Sequence, residues 1–142
     1  MGKEELDNLV RIGSLKPEAA SRSEFEGMVK SARRGLADAQ NDSIATDSQF
    51  DLACAAAHKF ALAALRHQGY RSENRVTVFQ ALIHTLAVSN ADLQIFLKAH
   101  NERNLAAYEG RVDIDKRLLA DLIGATKRLA GAVGKLTLPR TR

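Results

Sequence analysis

Apolar side chains recur at intervals of three and four residues along most of the chain, which is the period of an amphipathic α-helix. Few stretches alternate with the period of two that a half-buried strand requires. The pattern therefore predicts a series of helices, which cover roughly residues 3–12, 23–40, 46–67, 74–88, 91–109 and 114–133.

Polar residues and glycines mark the ends of these segments. Two pairs have the spacing of a capping box, in which each side chain satisfies a free backbone N–H of the first turn: Ser23 with Glu26, and Thr46 with Gln49. Ser89 offers a cap for the segment at 91–109. Gly69 and Gly110 supply the left-handed conformation that commonly ends a helix.

The segment at 46–67 is the most apolar and is rich in alanine, which lets neighbouring helices approach closely. We therefore place it at the centre of the fold. Short connections favour antiparallel packing. The expected fold is all-α: an antiparallel up-and-down bundle of four long helices plus a short N-terminal helix, forming a single domain over residues 1–142 with its core at about 24–135.

Composition agrees with a helical protein and narrows its surroundings. Aromatic residues make up 5% of the chain and no Asn-Gly or Asp-Gly turn occurs, which disfavours sheet. Charged residues interrupt every apolar run before the roughly 18 residues of a membrane span. The first residues lack an export segment, and Cys54 has no partner for a disulfide, so we expect a cytoplasmic protein that does not enter a membrane.

The formal net charge of +4 favours anionic partners, although the basic residues are dispersed along the chain. Metal sites are not predicted, because the histidines lack a metal-binding spacing and no Glu-x-x-His pair occurs. There is also no glycine-rich phosphate loop. We predict no cofactor, and we interpret Cys54 as a buried packing residue.

The helix at 91–109 changes character halfway along its inner face. The apolar stripe of its first half continues, at about 100° per residue, through His100, Asn104 and Tyr108, with Arg103 beside them. This change suggests a wet cleft at one end of the bundle, in which an Arg fork holds a phosphate or a nucleotide edge. The alternative is a helix that projects beyond the core, with its last turns solvated.

Asp51, near the start of the central helix, is a candidate partner for Arg103, because a carboxylate would orient the guanidinium. The alternative, which we favour, is an acidic residue that complements the helix dipole at its N-terminus.

Residues 103–108, Arg-Asn-Leu-Ala-Ala-Tyr, resemble the signature of the HEPN superfamily (higher-eukaryote and prokaryote nucleotide-binding domains). That signature is an Arg, usually followed by a polar residue, with a His a few positions further on. Residues 50–71 resemble the central helix and exit turn of the superfamily, and residues 78–82 add to the likeness. The resemblance covers roughly residues 24–135.

The resemblance implies a homodimer with its site at the dimer cleft. Active members of the superfamily are metal-independent endoribonucleases, often toxins paired with a nucleotidyltransferase antitoxin, and others bind nucleotides or are non-catalytic partners. Arg103 and Asn104 match the motif, whereas Tyr108 stands where it has His. An ordinary phenol, with a pKa of about 10, is a poorer general base near neutral pH than an imidazole. His100, one turn away, is an alternative imidazole.

We therefore expect an RNA- or nucleotide-binding module, related to toxin–antitoxin components, in which ribonuclease activity is weak or lost. Arg103 and Tyr108 are the candidate catalytic residues, and Asn104, His100 and Asp51 complete the candidate ligand-binding set. The alternative function is a non-catalytic bundle that dimerises or docks a partner. A DNA-binding regulator is less favoured, because no compact helix-turn-helix with a basic recognition helix is visible.

Overall fold

The computed structural model describes residues 2–110 and 113–137. Most of these residues are helical, which confirms the all-α class. The elements in chain order are α1 (Lys3–Arg11), β1 (Lys16–Pro17), α2 (Arg22–Ala39), α3 (Thr46–His67), β2 (Tyr70–Arg71), α4 (Arg75–Gln80), α5 (Leu82–Thr85), α6 (Asn90–Glu109) and α7 (Lys116–Gly134). Residues 1, 111–112 and 138–142 of the predicted domain lie outside the described part.

No helix in the described part of the chain is both long enough and apolar enough to cross a lipid bilayer.

The helix ends follow the sequence signals in part. Ser89 caps α6 as predicted, with its Oγ accepting a hydrogen bond from the N–H of Asp92 at 3.1 Å. Gly69 and Gly110 have the predicted positive φ angles, 92° and 67°. Both capping-box predictions are wrong. Ser21, in extended backbone, caps α2, so that Ser23 already lies inside the helix, and α3 begins after Ala45 without a side-chain cap.

The helix predicted at 74–88 is divided into α4 and α5 by a turn at Ala81. It ends where Ala87 adopts a φ of 52°, a conformation that glycine usually supplies. The division lets α4 pack against α3 and α6 while α5 packs against α1 and α3. Because these contacts join segments distant in sequence, local helical periodicity did not reveal the break.

Two short strands also form, although the sequence predicted none. β1 pairs antiparallel with β2, with Lys16 opposite Arg71 and Pro17 opposite Tyr70. Strands of two residues are too short to show an alternating pattern. This pairing brings the segment before α2 against the exit of α3.

The centre of the structure is α3, in which half of the 22 residues are buried. Its buried side chains are mostly small or aromatic: Phe50, Ala53, Cys54, Ala56, Ala57, Phe60, Ala61, Ala63, Ala64, Leu65 and Arg66. It packs against α2, α6 and α7, the other three long helices. The predicted central position of this helix is therefore confirmed.

Cross-helix contacts give the directions of two helix pairs. Between α2 and α3, Gln49 Nε2 donates to the carbonyl of Ala39 at 3.0 Å, and Lys59 Nζ donates to Ser31 Oγ at 2.8 Å. Residue numbers rise in α3 as they fall in α2, so this pair is antiparallel. Between α6 and α7, Asp92 near the start of one helix binds Arg128 in the second half of the other at 2.8 Å, which indicates the same arrangement.

Arg66 is the polar anchor of the fold and is 3% exposed. Its guanidinium forms ion pairs with Glu24 and, at 3.2 Å, with Glu18. It also donates to the carbonyls of Glu18 and Ala19, each at 2.9 Å. A charge removed from water is tolerated when such partners surround it. Arg66 thus holds the segment that enters α2 against the end of α3.

Replacing Arg66 with Ala should lower the free energy of unfolding by about 2 to 4 kcal/mol, because two carboxylates and the carbonyls of Glu18 and Ala19 would lose their common donor. Arg71→Ala is a matched control, since Arg71 also binds Glu18, at 3.0 Å, but from the solvent side. It should change stability little. Urea unfolding followed by circular dichroism measures the free energy of unfolding of both variants. Equal losses of stability in the two variants would contradict the assignment of Arg66 as the anchor.

Candidate functional site

A small cavity lies where α3, α4, α6 and α7 meet, and we call it the Arg75–Arg103 cavity. Its lining residues are Cys54, Ala57, Arg75, Phe79, Phe96, Ala99, His100, Arg103 and Leu122. The space in which the centre of a water-sized sphere can move has a volume of about 10 Å³. That is about the space that one water requires. A larger ligand would therefore bind at the mouth and place only one atom inside.

Phe79 organises the apolar wall of the cavity. Its ring stacks on that of Phe96, with centroids 5.4 Å apart and an interplanar angle of 12°. Two imidazoles lie against the same ring: His58 meets it nearly edge-on at 6.1 Å, and His100 is tilted against it at 6.5 Å. Packing against one buried aromatic side chain thus positions a histidine from α3 and a histidine from α6.

Two guanidinium groups line this cavity from different helices. Arg75 is the first residue of α4, and Arg103 lies in the second half of α6. Both side chains are half-buried, and in residues 2–110 and 113–137 neither guanidinium group has a hydrogen bond or an ion pair. Burial, and then the positive charge of Arg103, lower the pKa of Arg75. In this part of the chain, therefore, no carboxylate forms an ion pair with either of the two positive charges of the site.

The neighbouring imidazoles are affected by the same environment. Burial, and then the charge of Arg75, lower the pKa of His58 from 6.5 to about 4. The pKa of His100 is lowered by burial, Arg75 and Arg103, in that order. Both rings are therefore neutral near pH 7. The amide of Asn104 donates to Nε2 of His100 at 3.2 Å, a contact that suits a neutral imidazole.

Cys54 is a packing residue at this site. The side chain is buried, and its Sγ lies 4.0 Å from the carbonyl oxygen of Ala99, to which it donates. Burial raises the pKa of the thiol to about 12. Since the thiolate is the reactive form, the group is inert near neutral pH.

The structure brings together three of the five candidate site residues. Arg103 and His100 line the cavity, and Asn104 is bound to His100. Tyr108 does not join them, because it is 91% exposed in the last turn of α6. The second half of α6 thus combines both interpretations of its pattern, with a polar cavity first and a solvated end after it.

Asp51 is also separate from the cavity. Its side chain is exposed, and no ion pair joins it to Arg103 within the described ranges. It is near enough to Cys54 for its charge to raise the pKa of the thiol. The prediction that Asp51 complements the helix dipole in the first turn of α3 is also wrong, because the acidic residue in that turn is Asp47.

Sequence reasoning missed Arg75 and considered His58 only as a metal ligand. Arg75 precedes Phe79 by four residues, and His58 follows Cys54 by four, so each lies on the same helix face as a buried neighbour. These four-residue spacings were the signal that the sequence offered. They do not show that the face of α3 and the face of α4 meet, which depends on how α4 packs against α3 and α6.

Comparison with known proteins gives no match: no protein-family model, curated protein or solved structure matches this chain. The resemblance of residues 103–108 to the HEPN signature therefore stays a prediction. Among the residues that the structure describes, no group of three or more His, Cys, Asp or Glu side chains is arranged to hold a metal ion.

His58 should make stability depend on pH in a defined window. Because its pKa falls from 6.5 to about 4 on folding, the unfolded chain takes up a proton between these values while the folded chain does not. Stability should therefore decrease as the pH falls from about 6.5 to about 4. As the pH falls through this window, the free energy of unfolding of His58→Gln should increase relative to that of the wild type by about 1 to 2 kcal/mol. This value is reduced for solvent screening, because His58 is partly exposed.

Urea unfolding at pH 7, 5.5 and 4.5 in a phosphate-free buffer measures this difference. His84→Gln is the control, because His84 lies on α5 away from the cavity. If the stability curves of wild type and His58→Gln stay parallel over this range, the desolvated state of His58 is contradicted.

Proposed function

We propose that this chain is a HEPN-like RNA- or nucleotide-binding module that binds phosphate at the Arg75–Arg103 cavity. The observation that carries the proposal is the presence on one cavity of two guanidinium groups that have no ion-pair partner among residues 2–110 and 113–137. We also propose that α2, α3, α6 and α7 form an antiparallel up-and-down bundle. The antiparallel contacts of α2 with α3 and of α6 with α7 support that arrangement.

The charge arrangement favours an anionic ligand over a purely structural role. Burial, and then the like charge of Arg103, lower the pKa of Arg75, so both disfavour the charged form of its guanidinium. An anion at the mouth would reverse this effect by accepting charge-assisted hydrogen bonds from both guanidinium groups. The planar fork of an Arg side chain suits the oxygen spacing of phosphate. Phosphate is therefore the ligand group that these side chains recognise best.

The arrangement supports binding better than catalysis. Arg103 would stabilise charge on a phosphate, but Tyr108 lies in solvent and is not positioned to act on a ligand held there. His100 is beside Arg103 and is neutral near pH 7, so it is the better general base in this cavity. We propose at most weak, metal-independent endoribonuclease activity. Homodimerisation and a nucleotidyltransferase partner belong to the same proposal and rest on the resemblance.

A second candidate is a non-catalytic bundle that dimerises or docks a protein partner. Its support is the end of α6, where Leu105 is 36% exposed and Tyr108 is 91% exposed. Exposed apolar and aromatic side chains are typical of contact surfaces. This function predicts no RNA or nucleotide affinity at low salt.

Arg75→Gln and Arg103→Gln should each weaken RNA binding by about tenfold or more, because each removes a charge-assisted contact to phosphate. Fluorescence anisotropy with a labelled single-stranded RNA in 50 mM salt is a suitable measurement. Arg34→Gln on the exposed face of α2 is the control, since it removes the same charge from a helix that does not line the cavity. If Arg34→Gln weakens binding as much as the other two variants, attraction is nonspecific and the proposed site is wrong.

Cleavage of labelled RNA in the presence of EDTA should be slow or undetectable, and Tyr108→Phe should leave it unchanged, because the phenol lies outside the cavity. Any residual cleavage should be lost in Arg103→Ala and His100→Gln. Gel electrophoresis of the products at successive times measures the rate of RNA cleavage in each variant. Robust cleavage that disappears in Arg103→Ala would overturn the assignment of weak activity.

A further inference from the structure

We infer that the Arg75–Arg103 cavity selects a terminal phosphate monoester over an internal phosphodiester. This inference rests on the proposed phosphate-binding function and specifies the group recognised. The same chemical group occurs on a free nucleoside monophosphate and on the 5′-phosphorylated end of an RNA. The structure favours the monoester for two independent reasons, which are charge and shape.

The charge of the site matches a dianion. Arg75 and Arg103 contribute two positive charges, and within the described residues no carboxylate pairs with either. The other titratable groups around the cavity are His58, His100 and Cys54, which are uncharged near pH 7.5, and the charged side chains of Asp51 and Lys59. Asp51 acts on Cys54 through its charge, but within the described residues it forms no ion pair with Arg75 or Arg103. A phosphate monoester has a second pKa of about 6 and is mostly dianionic at that pH. A diester carries one negative charge and would leave one guanidinium uncompensated.

The shape of the cavity favours a group with one substituent. The void of about 10 Å³ has room for a single oxygen atom, and the aromatic and aliphatic side chains of Phe79, Phe96 and Leu122 line it. A monoester presents three terminal oxygens and has one substituent, so one oxygen can enter while the others face the two guanidinium groups. A diester has two bulky substituents and only two free oxygens. It would have to lie across the mouth, where fewer oxygens reach the arginines.

Isothermal titration calorimetry at pH 7.5 and low salt, with the full chain, tests this inference with two matched ligand pairs. The first pair is adenosine 5′-monophosphate and its methyl ester, which is a diester. The second is a short single-stranded RNA with a 5′-phosphate and the same RNA with a 5′-hydroxyl. We expect the monoester to bind about tenfold or more tightly in at least one pair, because it adds one charge-assisted contact.

Arg75→Gln should reduce this preference to about twofold or less, whereas Arg34→Gln should keep it. A preference within the nucleotide pair alone identifies a free nucleotide as the source, and one within the RNA pair alone identifies an RNA end. Equal binding of monoester and diester in both pairs would overturn the inference while leaving phosphate binding intact. Failure of all four ligands to bind would overturn the proposed function together with the inference.

Discussion

Burial of α3 is the constraint on which the rest of the structure depends. A helix that is covered by α2, α6 and α7 must be apolar over much of its surface, and half of its 22 residues are buried. Alanine keeps these contacts close, as where a Cβ placed on Gly35 of α2 would lie 3.6 Å from the Cβ of Ala56. Larger side chains along this line would move the neighbouring helices outward. The positions of those helices therefore follow from the small side chains of α3.

The arginines in and around this helix differ in how their charges are compensated. Arg66 in the last turn replaces lost hydration with carboxylates and carbonyls from the segment that enters α2. Its charge is buried but compensated. Arg75 and Arg103 lie around Cys54 and Ala57 of α3 and are half-buried, and within the described residues no carboxylate pairs with either guanidinium. The contrast between these two environments separates an arginine that stabilises the fold from arginines that are suited to a ligand.

The candidate site depends on packing between segments that are far apart in sequence. His58 comes from α3, Arg75 from α4, and His100 and Arg103 from α6. Helical periodicity found the face of α6 that carries His100 and Arg103, because residues three apart on one helix are neighbours whatever the tertiary structure. It gave no means of placing Arg75 beside them. It also included Tyr108 in the site, since the period continues to the end of α6, beyond the point where neighbouring helices stop covering it.

The sequence by itself determined the helical class, the central position of α3 and the ends of helices at Ser89, Gly69 and Gly110, because periodicity, caps and left-handed glycines act within a few residues of backbone. Tertiary structure alone decided the break at Ala81, the pairing of β1 with β2 and the meeting of Arg75 with Arg103. These features depend on which apolar faces cover one another. Such contacts are selected by the burial of apolar surface over the whole chain, to which no local segment of sequence is sensitive.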